Sequence, residues 1–194
     1  NAPKQRQTQF TRERHFYQEK DLARIMVCAG DKFITTDDGE SLRVADFIYS
    51  NIQEVIEHFD NALYRRIIDE AFRASESEDI KESGIAQYFI NHSDESMRSF
   101  AIDCNASPYV FANWESKDIY LQTQEMPEEN FYRDSLQSIL RFKLKKINKV
   151  IDELKEKSDK MGNGPESTQL ILKAYKTLSE QRKLIAEELG TVIP

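Results

Sequence analysis

Few residues in this 194-residue chain have the type and spacing to do chemistry. His15, His58 and His92 stand far apart, and none has a second histidine one helical turn away, as an HExxH zinc site requires. They read as structural or surface histidines. Asp37-Asp38-Gly39-Glu40 gathers three carboxylates around a glycine, but it lacks the spaced ligands and terminal glutamate of a calcium loop, so it reads as a turn. Cys28 and Cys104, the only cysteines, lie in apolar helical settings and in no CxxC pair. Reduced core cysteines are the expectation, against a disulfide or a metal site. No serine stands in a GxSxG-like setting, and the chain has no glycine-rich phosphate loop. Trp114, close to Tyr109, Phe111 and Tyr120, has two readings: a stacking surface for bases, or aromatics closing a core, which is the expectation.

The remaining chemical feature is charge. Arg141, Lys143, Lys145, Lys146 and Lys149 form a run free of acidic residues. It reads as a solvated helix face, or as an electrostatic contact with an acidic partner or nucleic acid. Asp152, Glu153, Glu156 and Asp159 follow and interrupt any continuous phosphate track. The chain carries 27 Lys+Arg against 34 Asp+Glu, a formal charge of −7. That sign disfavours binding along a duplex backbone, so direct nucleic-acid binding is expected to be weak or absent. No apolar run is long enough to span a membrane and no signal-peptide pattern stands at the start, so a cytoplasmic location is expected. The chain begins Asn1-Ala2-Pro3-Lys4 and is expected to be a piece of a longer protein.

Helical periodicity governs the rest. Residues 1–12 are polar and read as a linker. A helix over 15–29 places Leu22, Ile25, Met26 and Ala29 on one face, with Gly30 as its left-handed stop. Phe33-Ile34-Thr35-Thr36 followed by Asp38-Gly39 suggests a turn or small β-hairpin. Val44, Phe47, Ile48, Ile52, Val55, Ile56 and Phe59 stripe one helix over 44–59. Helices follow over 61–74, with Leu63, Ile67, Ile68, Ala71 and Phe72 inward, and over 85–90. Between them, 75–82 is a loop or a helix start. Ser93 is placed as the N-cap of a further helix reaching Cys104. Ser107-Pro108 breaks the pattern before an aromatic-rich connector, and Met126-Pro127-Glu128-Glu129 opens a long helix.

That long helix carries Leu144, Ile147, Ile151, Leu154 and Met161 on one seam, with Ser158 at the remaining position. After Gly162-Asn163-Gly164-Pro165, a last helix answers with Ile171, Ala174, Leu178 and Ile185. The expected fold is all-α: a linker (1–12), a helical bundle (13–140), then a long helix and C-terminal antiparallel helical hairpin (141–194). Two helices can bury one seam against each other but not both faces. With no catalytic constellation in view, docking by the spare face is the expected role. Leu170, Lys173, Tyr175, Arg182, Leu184, Val192 and Ile193 lie off or beside the seam. They mix apolar anchors with Tyr and Arg, as interface hot spots do. The alternative for Leu170 and Leu184 is that they complete the hairpin's own core.

The stretch Phe16-Tyr17-Gln18-Glu19-Lys20-Asp21-Leu22-Ala23-Arg24-Ile25-Met26-Val27 resembles the start of the C-terminal domain of bacterial DnaG-type DNA primases. Val44-Ala45-Asp46-Phe47-Ile48, Tyr88-Phe89-Ile90-Asn91-His92, Trp114-Glu115 and the lysine-rich helix from Phe131 agree in order. The resemblance covers nearly all of the chain after the linker. It implies a helicase-binding domain that docks onto the N-terminal domains of a hexameric DnaB-type replicative helicase and brings primer synthesis to the fork. Zinc and magnesium would belong only to upstream domains of the parent primase, and this piece would hold no cofactor and catalyse nothing. The isolated piece is expected to be monomeric. Two alternatives stand beside it. One is the N-terminal self-assembly domain of a replicative helicase. The other is a single-strand-binding helical module using Arg141, Lys145, Lys146 and Lys149 with the Trp114 aromatics.

Overall fold

A computed structural model describes residues 4–77, 80–105, 130–160 and 165–191. The fold is all-α with a single small sheet among the described residues. It divides into two compact units, Asn1–Ser138 and Ile139–Pro194. In the first lie α1 (Lys4–Ala29), β1 (Phe33–Thr35), β2 (Ser41–Arg43), α2 (Val44–Ile52), α3 (Ala62–Ser75), α4 (Ile80–Ser83), α5 (Ile85–Ile90) and α6 (Glu95–Asn105). The opening turns of α7 (Phe131–Lys160) also belong to it, and the rest of α7 with α8 (Pro165–Glu188) makes the second.

α1 begins at Lys4, so the linker expected over 1–12 is helical from its fourth residue onward. Gln, Lys and Arg are good helix formers without any apolar periodicity, and no breaker stands between Lys4 and Ala29. Its C-terminal half supplies the centre of the bundle: Leu22, Ala23, Ile25, Met26, Val27 and Ala29 are all buried. Gly30 does follow the helix, but the reason for glycine is steric and not a left-handed backbone. A Cβ there would lie 2.5 Å from the Met26 carbonyl oxygen and 3.0 Å from Ile85 Cδ1 on α5. The Gly30 carbonyl in turn accepts from Ala45 N at 3.0 Å, which ties the end of α1 to the start of α2.

The β-hairpin forms where Asp-Gly suggested it, antiparallel with Ile34 opposite Leu42. Gly39 takes a φ of +82°, and its N–H donates to the Thr36 carbonyl at 2.9 Å. A residue with a Cβ is strained there. Arg43 closes the β-hairpin onto the bundle: its guanidinium grips Asp46 at 2.8 and 3.0 Å and donates to the Ser75 carbonyl.

The single helix expected over 44–59 tightens after Ile52 into a 3-10 helix, Gln53–His58. Ile52 and Ile56 stay buried, while Phe59 turns to extended backbone. The turn carries the amides of Asp60 and Asn61 onto the Glu19 carboxylate of α1, at 2.8 and 2.9 Å. Asn61 then caps α3, accepting from Leu63 N at 2.9 Å and Tyr64 N at 3.4 Å. At α6 the cap is Asp94 and not Ser93. One Asp94 oxygen accepts from Ser96 N at 2.9 Å and Met97 N at 3.2 Å, and the other takes the Arg66 guanidinium. A carboxylate serves both partners at once, which a hydroxyl could not do as well. Arg66, then the Met97 amide, holds the Asp94 carboxyl below its ordinary range.

The first turns of α7 are tied to the same unit. Tyr132 packs on Phe47 with ring centroids 5.3 Å apart and donates its hydroxyl to Asp37 at 3.2 Å. Ser138 hydrogen-bonds Asp21. The expected helix start at Met126–Glu129, and the Trp114 aromatics, lie outside the described residues.

Candidate functional site

The second unit sets the candidate docking residues. Only residues 161–164 separate α7 from α8 within one compact unit, which is the connectivity of a helical hairpin. On α7, Ile151 is buried and Leu144, Ile147 and Leu154 are partly covered, while Ser158 is exposed; Met161 lies outside the described residues. On α8, Ile171, Ala174, Leu178 and Ile185 are partly covered and Ala186 is buried. The expected apolar seam residues that are described are therefore sheltered on both helices, while Ser158 is not.

Outside this stripe, large apolar side chains face water: Leu170 is 70% exposed, Leu184 66% and Leu172 61%. Turning about 100° per residue, Leu170, Lys173 and Leu184 fall within an arc of roughly 60° on one flank of α8. The two leucines sit about 20 Å apart along the axis. Thr177, Glu180, Gln181 and Glu188, all exposed, fall on the same flank, the first three between the two leucines along the axis. Leu170 and Leu184 are thus not part of the hairpin's covered stripe.

The other candidates separate. Tyr175 is 36% exposed and falls at the side of the covered stripe, in phase between Arg182 and Ala186. Arg182 falls within the covered stripe, with its Nε sheltered from solvent and without a hydrogen-bond partner; the same holds for Ser179 Oγ. Its guanidinium is therefore placed beside the seam residues and not on the outer flank. Val192 and Ile193 lie outside the described residues.

The basic run does not make a track. Lys146 is buried, with its ammonium 5.3 Å from the Phe142 ring centroid. Lys143 and Lys145 are partly covered, and Arg141 and Lys149 are exposed. At about 100° per residue the five positions spread over more than half the helix circumference. Arg141, Lys145, Lys146 and Lys149 each take part in other interactions.

Among the described residues, no three or more His, Cys, Asp or Glu side chains gather as a metal ion would need. His58 is exposed. His92 accepts from Asp94 N through Nδ1 at 3.0 Å and packs against both the Tyr88 and Phe89 rings, a structural role. Tyr88 donates to Glu70, and burial first, then that carboxylate, pushes its hydroxyl up to about 12. An acid whose folded value is raised contributes stability that is present below its unfolded value, near 10, and is lost as pH rises through 12. Tyr88→Phe is accordingly expected to flatten the loss of unfolding free energy between these two pH values. Urea melts across that window check it, and an unchanged pH slope would contradict it.

Sequence reasoning treated Cys28 and Cys104 as independent core residues. Both are free thiols and partly covered, as expected of reduced cysteines.

Among the described residues, no helix is long and apolar enough to cross a membrane. No curated protein and no solved structure matches the chain. A match over residues 3–192, nearly its whole length, shows that the chain belongs to the family described as a domain of unknown function, DUF8430.

Proposed function

We propose that this chain is a protein-docking domain that uses the outer flank of α8 to hold a larger partner. The observation that carries it is the exposure of Leu170 and Leu184 on one flank, with Lys173 on the same flank, away from the covered stripe. Burying a leucine contributes roughly 1.5–3 kcal/mol, so two such anchors supply a useful part of a specific interface. The partner proposed from the sequence resemblance is a DnaB-type replicative helicase, held through its N-terminal domains. The parent would then be a DnaG-type primase acting in the cytoplasm, and this domain would work without a cofactor.

The test is capture of the helicase hexamer by the full chain and by a chain ending at Lys160. The full chain is expected to retain the helicase and the shortened one to lose it. Equal capture by both would remove the docking role of α8. Capture by neither would remove the helicase as the partner.

A further inference from the structure

In the helical hairpin, Arg182 Nε and Ser179 Oγ are sheltered from solvent and make no hydrogen bond. Three residues apart, they are neighbours on one face of α8. That face lies at least about 120° around the helix from Leu170 and Leu184. A guanidinium has donors only, so nothing short of an acceptor satisfies it. α7 ends at Lys160 and α8 starts at Pro165, so residues equally far from the turn stand level. The sheltered seam follows this count: Ile171 falls level with Leu154, Ala174 with Ile151 and Leu178 with Ile147. By the same count Asn148 and Arg141 of α7 stand within two residues of level with Ser179 and Arg182. They also share their side of the seam. Asn148 and Arg141 lie about 100° and 120° on from Ile147, as Arg182 and Ser179 lie about 40° and 100° on from Leu178. On two antiparallel helices, turning the same way from the seam leads to the same side.

The sequence of this unit sets no carboxylate among these four residues. α7 has no Asp or Glu from Ser135 to Ile151, and α8 none from Ser167 to Ser179. Asp152, about 9 Å nearer the turn than Ser179, pairs with Lys155 at 3.3 Å. Glu187, about 8 Å beyond Arg182, pairs with Lys183 at 3.7 Å. Glu180 lies about 160° around from Leu178, on the far side of α8. The unit Ile139–Pro194 carries 12 Lys+Arg against 8 Asp+Glu, although the whole chain carries 27 against 34. Donors from two helices in a positive unit suit the clustered oxygens of a phosphate. The acids on either side leave room for one phosphate group and not for a chain of them. We propose that Arg182, Ser179 and Asn148 bind the phosphate group of a small ligand, with Arg141 adding positive charge. The ligand is inorganic phosphate or a phosphomonoester, and it braces the hairpin by taking donors from both helices. This site and the Leu170–Leu184 flank occupy different sides of α8, so either reading can fail alone.

Titrating the full chain with sodium phosphate and with adenosine monophosphate, at constant ionic strength, tests the site by NMR. The Arg182 Nε–H resonance is expected to shift and to saturate below about 20 mM ligand. The unfolding temperature should rise by about 2 °C or more at saturation. Whichever ligand binds more tightly identifies the source of the phosphate. Arg182→Met keeps the apolar stem and removes an unpaired donor. It should weaken binding about tenfold or more without lowering the unfolding temperature of the ligand-free chain. Asn148→Ala, on the facing helix, should weaken binding about threefold or more. A shift that never saturates, or that sodium chloride reproduces, would overturn the proposal. So would binding undiminished by Arg182→Met, or a single-stranded oligonucleotide held here more tightly than both small ligands.

Discussion

Replacing Glu19 by alanine is expected to lower the unfolding free energy by roughly 2–4 kcal/mol, read as a lower urea midpoint at unchanged slope. Glu19 is 1% exposed, on the face of α1 that also carries Leu22, Ala23 and Met26. Its two oxygens accept separately from Asp60 N and Asn61 N, at 2.8 and 2.9 Å. These amides stand at the junction where the 3-10 helix gives way to α3, so no helical carbonyl serves them. Alanine leaves two partly covered donors without their acceptor and a gap the size of a carboxyl-bearing side chain. Hydrogen bonds to a charged group contribute about 1.5–3 kcal/mol each, discounted here because water can reach the exposed Asp60. Glu19→Gln keeps one acceptor oxygen but sets an NH2 against the second amide, so its loss should be intermediate. A loss well under about 1 kcal/mol for the alanine variant would mean that water replaces the carboxylate.

The second large effect is on binding. Leu170→Asp combined with Leu184→Asp is expected to weaken helicase association about a hundredfold, with helix content and unfolding midpoint nearly unchanged. Both leucines are mostly in water already, so the folded chain loses little when they become charged. The complex would have to desolvate two carboxylates without partners. Leu172→Asp, on the opposite flank of α8, serves as the comparison and should change affinity by less than about threefold. Titration calorimetry beside circular dichroism separates the outcomes. If the double variant loses helix content together with binding, its leucines belong to the hairpin's own core and not to an interface.

What could be read from the sequence was local. Asp38-Gly39 located the β-hairpin because only glycine takes the required φ of +82° at no steric cost. The apolar stripes of α2, α3 and the helical hairpin were legible because core-facing side chains repeat with the helical period, and Leu22, Ile48, Ile67 and Ile151 are buried as that period requires. The first turns of α1 could not be read this way, since a polar helix carries no apolar stripe, and its propensity resembles that of a polar linker. The 3-10 turn after Ile52 was hidden for another reason: it satisfies Glu19, which is some forty positions away. The same holds for Arg182. Arg182 suggested an interface anchor by residue type, yet its helical phase sets it in the covered stripe beside Leu178 and Ile185. Residue type marked candidates, and the fold sorted them.

Oxidative footprinting of exposed side chains, with and without saturating helicase hexamer, tests the central claim most directly. It reads Leu170 and Leu184 on α8 against Tyr17, Phe33 and Ile102, which are exposed large apolar side chains among the described residues of the first unit. If the α8 flank is the docking face, Leu170 and Leu184 should be protected about fivefold or more, while Tyr17, Phe33 and Ile102 react as in the free chain. Protection of Tyr17, Phe33 or Ile102 with Leu170 and Leu184 unchanged would contradict it and move the docking surface to the helical bundle.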